Sequence, residues 1–200
     1  MSMTAPDHPP MRILIVTDAW APQINGVVIT LQNTIRTLED LGHTVETITP
    51  DGFRTFPCPT YPDISLSLFP GREVTRRIVR FRPDAIHIAT EGPLGLAARR
   101  YCIRAKRPFT TAYHTQFPEY VHARTRLPVG IAYRWMRGFH APASALLVAT
   151  PDIPSLANIS TRWPRCTPIA RAMPISLRRS AASITKIRKI SRMPAITEKK

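Results

Sequence analysis

Met11–Val28 reads MRILIVTDAWAPQINGVV, and the fold turns on this stretch. Arg12–Thr17 is a short, β-branched apolar run, the pattern of a strand covered on both faces. A loop holding Pro22, Asn25 and Gly26 follows. Val27, Leu31, Ile35, Leu38 and Leu41 then recur at three- and four-residue steps, which marks one face of a helix. Gly42 stops it. Thr44–Thr49 (TVETIT) alternates as a second strand. Strand, loop, helix and strand make the repeating unit of a parallel sheet.

The same grammar continues down the chain. Pro50–Pro62 is irregular, with four prolines, after which Ile64, Leu66 and Leu68 alternate and predict a third strand of the sheet. Arg72–Phe81 (REVTRRIVRF) predicts a basic amphipathic helix with Val74, Ile78 and Phe81 turned inward. Asp84–Ala89 (DAIHIA) predicts a fourth strand after the Arg82-Pro83 break. Pro93 suits the first turn of a helix running to about Lys106. Phe109–Tyr113 predicts a fifth strand, Val129–His140 a helix, and Ala145–Ala149 a sixth strand. The expectation is one doubly wound, mostly parallel, Rossmann-like α/β sheet over residues 11–153, after a flexible leader at 1–10. Ligands of such sheets sit beyond the carboxyl ends of the strands. The loops after Thr17, Ala89 and Tyr113 are therefore where chemistry is expected.

Past Asp152 the pattern stops. No glycine follows Gly138, and no helical or strand period is sustained. The formal charge of +15 concentrates there: residues 154–200 hold eleven Lys+Arg against one acid, Glu198, and the rest holds 17 basic and 12 acidic residues. The basic residues of 154–200 are spread among Ile, Met, Pro and Ser. This favours an incidental, low-order tail over an arm on anionic lipid or nucleic acid, and nucleic acid is not an expected partner. The abrupt change near Asp152–Pro154 suggests a shift of reading frame. Cys58, Cys102 and Cys166 are odd in number and lack ligand spacing, which argues against a disulfide framework or a zinc site. The N-terminus has no secretory pattern, and Ile13–Val16 is too short to span a bilayer. A cytoplasmic protein is expected. The basic helix at 72–81 offers a face for peripheral contact with an acidic membrane, although a solvated surface explains it as well.

Each loop offers a candidate group. Asn25-Gly26 stands before a helix whose N-terminal N–H groups suit a phosphate or a developing anion. The pattern is neither a dinucleotide fingerprint nor a phosphate-binding loop of the Walker type, and no cofactor is expected. Thr90-Glu91-Gly92-Pro93 puts a carboxylate at a strand end, able to orient a substrate hydroxyl or simply to favour a helix start. His114, past the fifth strand and beside Tyr113, Thr115 and Gln116, can donate to a sugar oxygen or move a proton. His87 lies mid-strand and reads as a satisfied core histidine. His8, His43, His122 and His140 stand in no evident constellation.

Together, MRILIVTDAWAPQINGVV, the turn Thr49-Pro50-Asp51-Gly52-Phe53, RPDAIHIATEGPLGLAAR and FTTAYHTQFPEY resemble retaining glycosyltransferases of the GT-B fold. The nearest resemblance is to bacterial GDP-mannose-dependent α-mannosyltransferases. The resemblance covers about residues 11–153, the N-terminal, acceptor-side half of that fold. It implies hexosyl, specifically mannosyl, transfer from a nucleotide sugar such as GDP-mannose to a lipid or glycan acceptor, without an obligatory metal. It implies that Asn25, Gly26 and Val27 lie near the donor diphosphate and that His114 reaches the transferred sugar. It also implies that Glu91, Gly92, Tyr113 and Thr115 line the acceptor side or the cleft. The family's donor-binding half is not recognisable after Asp152, so a truncated chain inactive by itself is expected. The alternative is a non-catalytic acceptor-binding subunit or membrane-associated binding domain.

Overall fold

The computed structural model describes residues 9–23, 25–58, 61–113, 128–148 and 166–168. Its centre is β1 (Arg12–Val16), whose Leu14, Ile15 and Val16 are all buried, as an unbroken apolar run requires. The other elements follow as α1 (Gly26–Asp40), β2 (Thr44–Ile48), β3 (Thr55–Cys58), β4 (Tyr61–Ser67) and α2 (Gly71–Phe81). After them come β5 (Ala85–Ile88), α3 (Pro93–Arg104), β6 (Thr110–Tyr113), α4 (Val129–His140), β7 (Ala145–Val148) and β8 (Cys166–Pro168). Six strands form one sheet in the order β2-β1-β5-β6-β7-β8, every pairing parallel.

Alternation along the strands divides the core between two faces. Ile13, Ile15 and Val45 meet Leu31, Ile35 and Leu38 of α1. Leu14, Val16 and Ile48 belong to the cluster built with Val74, Ile78 and Phe81 of α2 and Leu94, Ala98 and Cys102 of α3. On α4, Tyr133 and Met136 pack on Tyr113, Leu146 and Val148. The chain leaves β1 toward β2 on one side, and β5 lies on the other, so the strand order reverses at β1. A crevice opens at such a switch point.

Two sequence expectations change. The alternation at 64–68 predicts a strand of the main sheet, but β4 pairs antiparallel with β3 in a separate ribbon. The sequence YPDISLS explains this: Asp63, Ser65 and Ser67 alternate with the apolar residues, whereas a central parallel strand is apolar on both faces. Pro57 and Pro62 also lack the N–H that an interior ladder needs. Conversely, Cys166–Pro168 joins the sheet edge beside β7, inside a stretch that carries no periodic signal. Three residues are too few to show one. Otherwise the tail at 154–200 and the proposed frame change near Asp152 lie outside the described residues.

Candidate functional site

Two helices begin at the crevice, and their first turns are treated differently. At α1, Asn25 is the N-cap in extended conformation, and its side-chain oxygen accepts from the Val28 N–H at 3.0 Å. Asn is preferred there because its short oxygen answers one of the N–H groups the helix leaves open. The cap is neutral, so the positive end of α1 keeps its field. A Cβ added to Gly26 would meet nothing within 4 Å among the described residues, so the approach is open. Val27 follows in the same first turn, half-buried against the α1-side core.

At α3 the corresponding position is filled by the chain itself. Asp18, 4% exposed just past β1, accepts from the Leu94 N–H at 2.9 Å and the Gly95 N–H at 3.3 Å. Thr90 Oγ1 donates to the same carboxylate at 2.9 Å and accepts from the Asp18 N–H at 2.7 Å. Burial pushes the Asp18 carboxyl up to about 6, against the lowering effect of these hydrogen bonds, and the nearby Glu91 charge adds to the rise. The glycines of TEGPLG are explained by this contact. A Cβ on Gly92 would enter the Asp18 carboxylate, and one on Gly95 would overlap the Thr90 carbonyl oxygen. The room beside Gly92, a residue the resemblance puts on the acceptor side or the cleft, is thus taken up by Asp18. Sequence reasoning missed Asp18. Its signal was an acid directly after a doubly covered strand, matched by two glycines three residues apart at a later helix start.

Glu91 meets a second group that sequence reasoning set aside. Its Oε1 lies 3.3 Å from Nε2 of His140, a side chain with 0% exposure at the end of α4. The Tyr113 ring stands edge-on to the His140 ring, centroids 6.4 Å apart. Arg99 fixes the end of α4 by donating to the Phe139 and Gly138 carbonyls, each at 2.7 Å. Glu91, Tyr113 and His140 therefore converge where β5 and β6 end. No local pattern marks His140, because the contact joins residues far apart in sequence. His87 behaves as expected of a satisfied strand histidine, its Nδ1 sitting 2.9 Å from Thr110 Oγ1. His114 and Thr115 lie outside the described residues. Among the described residues no group of three or more His, Cys, Asp or Glu is gathered to hold a metal. No helix among them is long and apolar enough to cross a membrane.

A parallel sheet with two strand-end loops facing its switch point is the architecture of Rossmann-like domains, which bind ligands at that crevice. Residues 24–154 match the model of Glycosyltransferase Family 4, and the chain belongs to that family. Curated relatives agree. The chain is 32% identical to a sulfoquinovosyl transferase of Arabidopsis thaliana, over 56% of this chain and 25% of that protein. It is 33% identical to an alpha-monoglucosyldiacylglycerol synthase of Acholeplasma laidlawii, over 58% of this chain and 33% of the relative. It is 25% identical to a GDP-mannose-dependent alpha-mannosyltransferase of Mycobacterium tuberculosis, over 82% of this chain and 50% of the relative. The chain thus spans a quarter to a half of the length of these relatives. The solved structure of MurG from Acinetobacter baumannii is similar over 71% of this chain and 42% of that one. The two are 12% identical in sequence, with a TM-score of 0.33.

Proposed function

We propose that this domain forms the acceptor side of a hexosyl-transfer site and that the first turn of α1 receives the donor's diphosphate. The observation that carries this is the contrast at the crevice. The N-terminus of α3 already holds a carboxylate, whereas that of α1 is capped by a neutral amide, and no described residue crowds Gly26. Backbone N–H groups and a helix dipole aimed at a leaving diphosphate stabilise the charge that develops as the sugar departs.

The donor is GDP-mannose and the acceptor a lipid or glycan, a choice supported by the mannosyltransferase and glucosyldiacylglycerol synthase relatives. His114 is assigned to the transferred sugar. Glu91, Gly92, Tyr113 and Thr115 are assigned to the acceptor side, with Gly92 acting through its clearance for Asp18. The domain works at the cytoplasmic face of a membrane, in peripheral contact with it.

Amide chemical shifts on adding GDP, and transfer from GDP-mannose to membrane lipid, test these statements separately. GDP is expected to move the Gly26 and Val27 amides. Unmoved amides would refute the diphosphate assignment. Transfer that is unchanged in His114→Ala would refute the assignment of His114 to the transferred sugar.

A further inference from the structure

The sealed start of α3 is a fixed point of the crevice. Gly92 and Gly95 leave no room for a Cβ against Asp18 and the Thr90 carbonyl, and Leu94 is fully buried. From this point a succession of hydrogen bonds leads toward the start of α1. The Asp18 N–H donates to Thr90 Oγ1 at 2.7 Å, and that hydroxyl donates back to the Asp18 carboxylate at 2.9 Å. One side chain thus holds both the backbone and the side chain of Asp18. Beside it, Thr17 Oγ1 accepts from the Ala19 N–H at 3.1 Å, and the Thr17 N–H donates to the Ile48 carbonyl at 3.0 Å. Further on, the Gln23 N–H donates to the Trp20 carbonyl at 3.1 Å, and Asn25 Nδ2 donates to Gln23 Oε1 at 3.3 Å. Asn25 then caps α1 at the Val28 N–H. Trp20 and Val27 pack against the same cluster under α1.

We propose that Asp18 and Thr90 are positioning residues: their clasp on α3 sets where the first turn of α1 presents its N–H groups, and so the affinity for a nucleotide-diphosphate sugar. The affinity half of this inference rests on the assignment of the diphosphate to α1. Donors that stabilise a diphosphate must be in place before it arrives, because ordering them afterwards subtracts from binding. Asn25 and Gly26 stand at the end of a loop, the part of a domain that moves most readily. The local cap satisfies α1 without tying it to another element, whereas the clasp joins the root of the loop to a packed helix start. Valine has nearly the shape of threonine. In place of Thr90 it would take from the Asp18 N–H its acceptor and from the carboxylate one of its donors.

Amide chemical shifts of the full chain, first without ligand and then titrated with GDP-mannose, test the clasp. Thr90→Val should displace the Gly26 and Val27 signals before any ligand is added. It should also weaken GDP-mannose binding about fivefold, within the range by which residues outside a site modulate it. Thr90→Ser keeps the hydroxyl and should return the signals to their wild-type positions and the affinity to within about twofold of wild type. Asp18→Asn keeps an oxygen for the Leu94 N–H but sets an NH2 group against the Gly95 N–H, so it should act in the same direction. It also keeps the test alive if Thr90→Val does not fold. Ile78→Val, in the core under α2, loosens the fold away from the loop and should leave both readouts unchanged. Gly26 and Val27 signals that stay in place in Thr90→Val and Asp18→Asn would overturn the proposal. So would equal displacement in Ile78→Val, no rescue by Thr90→Ser, or displaced signals with undiminished affinity. Wild-type amides that ignore GDP-mannose would instead refute the diphosphate assignment and the affinity half with it, and the ligand-free signals would still decide the clasp.

Discussion

The first turns of α1 and α3 face the same crevice and differ in what answers their N–H groups. At α3 a buried aspartate from another loop takes two backbone donors and a threonine hydroxyl, and two glycines clear its path. At α1 the cap is local and neutral, and nothing described crowds the glycine. A helix N-terminus attracts anions in general, but the chain can satisfy that attraction itself. The same residue type, glycine at a helix start, thus does two jobs. Gly92 and Gly95 let the protein close on itself, and Gly26 leaves it open.

The largest break of this contrast is expected at Gly95. Gly95→Ala drives a Cβ into the Thr90 carbonyl, a backbone atom that cannot swing aside, and should destabilise by about 3 kcal/mol or more in denaturant unfolding. Next comes the charge of Asp18. Its folded value of about 6 lies above the ordinary 3.8, so the folded chain holds this proton more tightly than the unfolded one. The stabilisation linked to the neutral carboxyl is complete below about pH 4 and is lost as pH rises through about 6. This amounts to up to about 3 kcal/mol across the window. Asp18→Asn does not titrate, so unfolding followed against pH should show this segment of the wild-type curve flattened. Unaltered pH dependence in Asp18→Asn would mean that the carboxyl is not linked to folding.

At the open helix the effects are smaller. Asn25→Ala removes a cap and should lower stability by about 1 kcal/mol. Gly26→Ala should stay within about 0.5 kcal/mol of wild type by the same measurement, because no described residue stands where its Cβ would go. It should nevertheless reduce the response of the Val27 amide to GDP. A large loss of stability in Gly26→Ala would erase the distinction between the two helix starts.

Much of this molecule was legible in one dimension. RILIV as a doubly covered strand, the 3.6-residue stripe from Val27 to Leu41, and the strands Ala85–Ile88, Thr110–Tyr113 and Ala145–Val148 all rest on local periodicity, which burial enforces residue by residue. Four ordered motifs pointed to the family that the match over 24–154 shows. Periodicity misled where alternation alone was asked to choose a partner: β4 is a strand, but its polar face sends it to β3 rather than into the main sheet.

The side-chain meetings at the crevice were decided only by the tertiary structure. Asp18 reaches Leu94 across 76 residues, and Glu91 finds His140, which no spacing recommends. Hydrophobic pattern fixes which face of an element is buried, because that depends on each residue's own neighbours along the chain. Which buried acid seals which helix depends on the strand order reversing at β1. This brings the ends of β1 and β5 together, and with them the choice of which helix start stays open.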